Sequence, residues 1–194
     1  MLFLFLSTAI AGPLPCPASV ADLPESPLFS ASDKRLQGDE LVVALKGDRL
    51  IMRFKGGKLV EDTCWKTGLA MGYPSGPKLK RGDMKSPEGW YRTSDKPWSS
   101  YYGAIAIHYP NTADAAVGEL TGLISERQRQ SIDTSLAAGE KPTQKTRLGG
   151  EILIHGGGGD SDWTLGCLAM DNEDIDDLRA TLSTSQQTDI LILP

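Results

Sequence analysis

Two side chains carry most of the chemistry available in this sequence: the imidazole of His155 and the thiol of Cys167. They stand a dozen positions apart in residues 152–170, Ile-Leu-Ile-His-Gly-Gly-Gly-Gly-Asp-Ser-Asp-Trp-Thr-Leu-Gly-Cys-Leu-Ala-Met. A thiol with its free pKa of about 8.5 is mostly protonated at neutral pH. A neighbouring imidazole can take that proton and arm the sulfur for attack on a carbonyl. The imidazole then needs a third group to orient it. No Asp or Asn stands in an obvious partnering position, which leaves a backbone carbonyl such as that of Gly156. Gly166, without a side chain, lets a substrate approach the nucleophile, and the amides of Gly166 and Cys167 can face a developing oxyanion. A free cysteine alone is most often a small buried hydrophobe. It is the pair, flanked on both sides by glycine, that points to covalent catalysis.

Thr164 and Trp163 precede the Gly-Cys pair. Trp163 is placed to stack on a sugar or to join the core. His108, the other of the two histidines, is a candidate second imidazole or groove-lining residue, or simply a partly buried residue after a strand. Arg81, Lys85 and Arg92 are candidates for meeting carboxylates. The glycine run 156–159 lacks the following Lys-Ser/Thr of a phosphate cradle, and Asp160 and Asp162 would repel phosphate. With two histidines and no paired-cysteine motif, a zinc site of ordinary spacing cannot be assembled. No metal and no cofactor is expected.

These residues need strands to position them. Residues 41–45 and 50–54 are short runs rich in Val, Ile and Leu, separated by Gly47-Asp48 and followed by Gly56-Gly57, which is a hairpin signal. Further strands are expected over 63–71, 90–93, 104–109, 151–155 and 190–193. Pro110 stops the one before it. Ser125 is a candidate N-cap for a helix over 126–138, with Gly139 at its C-terminal end. Asn172 is a candidate N-cap for a short acidic helix through Arg179. Strands outnumber helices and do not alternate with them, so the fold class is mainly β with a few short helices.

The chain has 194 residues, 40% hydrophobic and 23% charged, which suits a single globular domain. A net charge of −5 argues against nucleic acid as a partner and against anionic membranes. Residues 1–11 form a short apolar run closing with Ala9-Ile10-Ala11, like the end of a secretory signal peptide, though without a basic start. The run is too short to span a bilayer, and no other stretch approaches that length. Residues 12–39 read as a linker or irregular segment, and the catalytic domain as 40–194. Of the three cysteines, Cys16 and Cys64 can pair in an oxidising compartment and leave Cys167 free.

The residues around Cys167 resemble the signature of the L,D-transpeptidase catalytic-domain family, also called YkuD-type: a strand ending His-Gly, a loop, then Ser/Thr-His-Gly-Cys and a Met or Asn tail. The match lies at His155, Gly156, Thr164, Gly166, Cys167 and Met170. Upstream, Gly82-Asp83-Met84-Lys85-Ser86-Pro87-Glu88-Gly89-Trp90-Tyr91 is similar to the family's Gly-Asp-x-x-Thr-Pro-Glu-Gly-x-Tyr block, and His108-Tyr109-Pro110-Asn111 to its Ser-Tyr-Pro-Asn segment. The resemblance implies a mixed β-sandwich with Cys and His on an open groove. It also implies peptidoglycan stem peptides as substrate, cut between diaminopimelate and D-Ala through a thioester. In that scheme Cys167 is the nucleophile, His155 the general base and acid, and the Gly156 carbonyl the orienter. With the signal-like start it places the protein in the periplasm. The family's second histidine, two before the cysteine, is Leu165 here, and the loop is short. The pattern Asp162-Trp163-Thr164-Leu165-Gly166-Cys167 resembles a branch of the family that includes murein hydrolases cutting at diaminopimelate. Three readings follow: transpeptidase, L,D-carboxypeptidase or amidohydrolase, and a non-catalytic wall-binding module that keeps the fold.

Overall fold

In the computed structural model, residues 16–71, 75–182 and 187–194 are described. The apolar run 1–11 lies outside them. Gly47-Asp48 does turn a hairpin, joining β1 (Leu41–Leu45) to β2 (Leu50–Lys55), and Gly56-Gly57 turns β2 into β3 (Lys58–Lys66). Five more strands follow: β4 (Gly89–Asp95), β5 (Ile105–Ile107), β6 (Leu153–His155), β7 (Leu168–Ala169) and β8 (Thr188–Leu193). All eight form one mixed sheet in the order β3-β2-β1-β8-β4-β5-β6-β7, parallel at β1·β8 and β6·β7. The sheet curls until its ends meet. Gly68, just past β3, exchanges backbone hydrogen bonds with Ala169 of β7 at 2.9 and 2.8 Å. The expected strand over 63–71 is therefore two features, the end of β3 and a closing bridge. A side chain at Gly68 would run into the Ser161 carbonyl at 2.1 Å.

β1 is buried at every position because both faces of the sheet are covered. Val42 and Ala44 point into one core with Ile51, Ile105, Ile107, Ile154, Leu168, Ile190 and Ile192. Leu41, Val43 and Leu45 point into another with Met52, Phe54, Leu191 and Leu193. The N-terminal segment covers that second core. Its backbone is irregular, with short 3-10 turns at Val20–Asp22 and Lys34–Gln37, but it is not loose. Val20, Leu23 and Leu36 are buried in it, and a Cys16–Cys64 disulfide ties it to β3 across a Cα–Cα distance of 6.4 Å.

The described residues include three α-helices, α1 (Thr112–Leu120), α2 (Glu126–Ala137) and α3 (Asn172–Thr181). α1 and α2 pack on each other around Ala115, Ile124 and Ile132, and α3 enters the sheet core through Ile175 and Leu178. Ser125 caps α2 through a reciprocal box with Gln128. α1 was not expected from the sequence, yet Asn111 and Asp114 form the same kind of box at its start. No helix among the described residues is long and apolar enough to cross a membrane.

Candidate active site

β6 and β7 place the chemistry. Ile154 lies opposite Leu168 and His155 opposite Ala169. One step back along that register, Cys167 falls opposite Leu153. Side chains alternate along a strand, so Ile154 and Leu168 enter the core while Leu153, His155 and Cys167 share the other face. The packing agrees, with Cys167 lying against Ala104, Ala106 and Leu153. Two residues along and one strand across put the His155 and Cys167 Cα atoms on the order of 8 Å apart. Both side chains line one open groove of about 1170 Å³.

The His155 ring is held on three sides. Its Nδ1 lies 2.7 Å from the Gly156 carbonyl oxygen. A carbonyl only accepts, so Nδ1 carries the hydrogen and the neutral ring presents Nε2 as its lone pair. Tyr101 stacks on the ring with centroids 4.4 Å apart, and Trp163 meets it edge-on at 5.4 Å. Trp163 is fixed in turn by donating from Nε1 to the Gly158 carbonyl at 3.0 Å.

The glycine run wraps onto the start of α3. The Gly157 amide donates to Asn172 Oδ1 at 2.9 Å and the Gly159 amide to Asp171 Oδ1 at 3.0 Å. This moves the helix start by one residue. Asp171, not Asn172, occupies the N-cap position, and its side chain makes no cap hydrogen bond, because both carboxamide and carboxylate are taken up by the loop.

A threonine governs the turn before the cysteine. Thr164 Oγ1 donates to the Cys167 carbonyl at 2.7 Å and accepts from the Gly166 amide at 3.2 Å. Thr164 is thus a buried brace. The Gly166 amide is occupied and does not face an oxyanion as the sequence suggested. The need for glycine there also differs from expectation. Its φ is +139°, and a Cβ would meet the Lys85 carbonyl oxygen at 2.8 Å. Glycine admits the neighbouring loop, not the substrate.

A model of the L,D-transpeptidase catalytic domain (YkuD) matches residues 38–190. The chain belongs to the L,D-transpeptidase catalytic-domain family. It is 34% identical over 106 residues to YafK of Escherichia coli (strain K12), a match over 53% of this chain and 30% of YafK. Among solved structures, it is similar to the helical cell shape determining protein Pgp2 of Campylobacter jejuni. The K307A mutant of Pgp2 superposes with TM-score 0.51 at 25% identity, over 80% of this chain and 47% of that one. Unmutated Pgp2 gives 0.52 at 24%, over 83% and 51%. The chain therefore spans less than a third of YafK and about half of Pgp2.

In this L,D-transpeptidase domain the thiol and the imidazole do not form a resting ion pair. Cys167 Sγ donates to the Glu151 carbonyl at 3.6 Å. Burial raises the thiol pKa, more than the Leu153 amide, Lys96 and Lys78 lower it. Burial also lowers the His155 pKa, against the opposing pull of the Gly156 carbonyl. Both shifts favour neutral thiol beside neutral imidazole.

The walls are cationic. Lys78, Arg81, Lys96 and Lys145 line the groove with one acid, Glu151; Lys78 is paired with Asp83 and Lys96 with Glu151, which leaves Arg81 and Lys145 without a salt bridge among the described residues. Lys85 and Arg92 are not in the lining. Nor is His108, which is 2% exposed with Nε2 2.9 Å from Ser94 Oγ. Burial, with Lys141 and Arg92 nearby, pushes its pKa down to about 4. The sequence does not specify the contacts of three contributors. Tyr101 lies in a loop without periodicity. Asp162 grips Arg49 through Nε at 2.9 Å and Nη2 at 2.7 Å while accepting the Leu69 amide at 2.8 Å. Lys46, buried, reaches the Gly76 and Ser86 carbonyls and Glu88, and so pins the 75–88 wall. An acidic residue immediately before Trp163 and the Glu88 of the Pro-Glu-Gly block were the signals available.

Proposed function

We propose that this domain performs cysteine-dependent acyl transfer on peptidoglycan stem peptides. The observation that carries the reading is an imidazole fixed in one tautomer by Gly156, on the same groove face as the free thiol Cys167. Nε2 of His155 takes the Sγ proton as sulfur adds to the peptide carbonyl carbon. The tetrahedral adduct collapses, its C–N bond breaks, and the leaving amine takes the proton back from the imidazolium. The thioester on Cys167 is then attacked by an amine or by water, His155 accepts the acceptor's proton, and the C–S bond breaks to return the thiol. Cationic groove walls in a chain of net charge −5 suit a carboxylate-bearing peptide. The Cys16–Cys64 disulfide supports an oxidising compartment, the periplasm.

The exposure of Leu165 favours water as the acceptor. It is 67% exposed on the groove rim, where the family pattern has a histidine. An amine arrives protonated and must lose a proton before attacking, and this groove offers one imidazole. The test is incubation with tetrapeptide stems followed by mass spectrometry. Loss of D-Ala without dimers supports hydrolysis, and cross-linked dimers support transfer. Folded protein that gives neither, with Cys167 unmodified, refutes both. Because burial lowers the His155 pKa, kcat/KM should rise with pH through a midpoint below about 6.5 and stay flat through neutrality. A midpoint above 7 contradicts the role given to His155.

A further inference from the structure

The cationic wall continues beyond the groove. Arg81 and Lys145 are shared with a second cleft, of about 360 Å³, which Lys80, Leu123, Thr146 and Arg147 complete. None of its four cations makes a salt bridge among the described residues. Four unpaired like charges in one cleft, on a chain of net charge −5, repel one another and are relieved by an anion.

The cleft is built, not an accident of long side chains. The Arg81 amide donates to the Arg147 carbonyl at 2.8 Å, and the Arg81 guanidinium to the carbonyls of Gln144 at 3.0 Å and Thr146 at 3.5 Å. The two loops approach so closely at Gly149 that a Cβ there would lie 3.3 Å from Arg81 Cα. Thr146 is 4% exposed, and its hydroxyl has no partner among the described residues. Thr146 thus spends no hydroxyl hydrogen bond on the protein, and the four cations above carry the cleft's affinity for an anion.

We infer that this cleft is a carboxylate-binding subsite, occupied by an acidic part of the substrate peptide that lies away from the scissile bond. The inference rests on the proposed function for its peptide, but binding reads it without turnover. Take the full chain carrying Cys167→Ala and titrate it against a labelled tetrapeptide stem and against the same stem with its side-chain carboxylate amidated. Amidation should weaken binding about tenfold, the loss of one charge-assisted contact. With Lys80→Ala and Arg147→Ala added, the penalty for amidation should fall below about twofold, with circular dichroism unchanged. Equal penalties in parent and double variant overturn the subsite, as does displacement of the stem by inorganic phosphate at concentrations where acetate has no effect. Discrimination in binding without turnover in the native protein would sink the chemistry and leave the subsite standing.

Discussion

Around the Cys16–Cys64 disulfide, Leu23 and Leu36 pack on Leu41, Phe54 and Leu191 of the sheet, whereas Cys167 lies against Ala104, Ala106 and Leu153. One cysteine region is filled with large apolar side chains and joined covalently. The other is kept shallow by alanines, with glycines at 159 and 166 where backbone must pass close to backbone. The contrast separates two tasks. Bulk on the first face holds the chain together. Small residues on the second leave a floor on which a peptide can lie, with one thiol and one imidazole raised from it. Perturbing the first region should change stability, and perturbing the second should change rate.

The sharpest division comes from Cys167→Ala. It should reduce stem-peptide turnover by at least about 1000-fold while moving the melting temperature little, since a small side chain replaces another beside two alanines. Kinetics and thermal melts on the same sample check both halves. Next is Gly156→Ala. A Cβ there would lie 2.5 Å from Asn172 Oδ1 and 2.9 Å from the Tyr102 ring, so the carbonyl that orients His155 must shift. A displacement of that order should lower kcat by about 100-fold, and alkylation of Cys167 by iodoacetamide should persist.

Replacing Cys16 and Cys64 with serine tests the other side. The bond spans 48 residues of sequence, and opening a loop of that size should cost about 4 kcal/mol in the chain-entropy description. Urea unfolding measures it, and kcat of the protein that stays folded should not change. A rate loss as large as the one at Gly156 would break the separation. The smallest effect concerns His108. Its folded pKa of about 4 lies below the unfolded value of about 6.5. The neutral form is favoured by folding, so this contribution is present above pH 6.5 and lost as pH falls toward 4, by up to about 3 kcal/mol. Asp114 works in the opposite sense, its carboxyl pushed up to about 6 by burial against the Asn111 amide and Tyr91 hydroxyl. The measurement is therefore the difference between His108→Gln and the parent across pH 4–7, where the variant should show the flatter acid slope.

Elements whose signals are local were legible in the sequence. Gly47-Asp48 between two apolar runs gives the first hairpin, and Ser125 with Gln128 gives α2, because turn chemistry and capping act within a few residues. α1 is not legible although Asn111 and Asp114 carry the same capping box, since residues 112–120 show no strong apolar period to follow it. The early part of β3, with Lys58, Glu61 and Asp62 exposed, lacks an apolar pattern and is defined by pairing with β2. At the site, His155 and Cys167 stood out by type and flanking glycine. The contacts of Tyr101, Arg49 and Lys46 did not, because each is made by a distant loop folding back. The thiol's hydrogen bond to Glu151 is equally non-local. Its partner is set by where β6 begins, which no spacing in the 152–170 segment specifies.

Both margins of the sheet are occupied by the chain itself. Ala18 and Val20 hydrogen-bond to Leu59 and Gly57 beside β3, and Gly68 to Ala169 beside β7. At the β7 margin, strand-by-strand recruitment of another copy, the usual hazard of an open β-edge, would first have to peel away Gly68 from the strand that follows the nucleophile. Association at that margin would therefore distort the thiol before it could spread. Loss of reactivity at Cys167 should come earlier than turbidity when the protein is stressed.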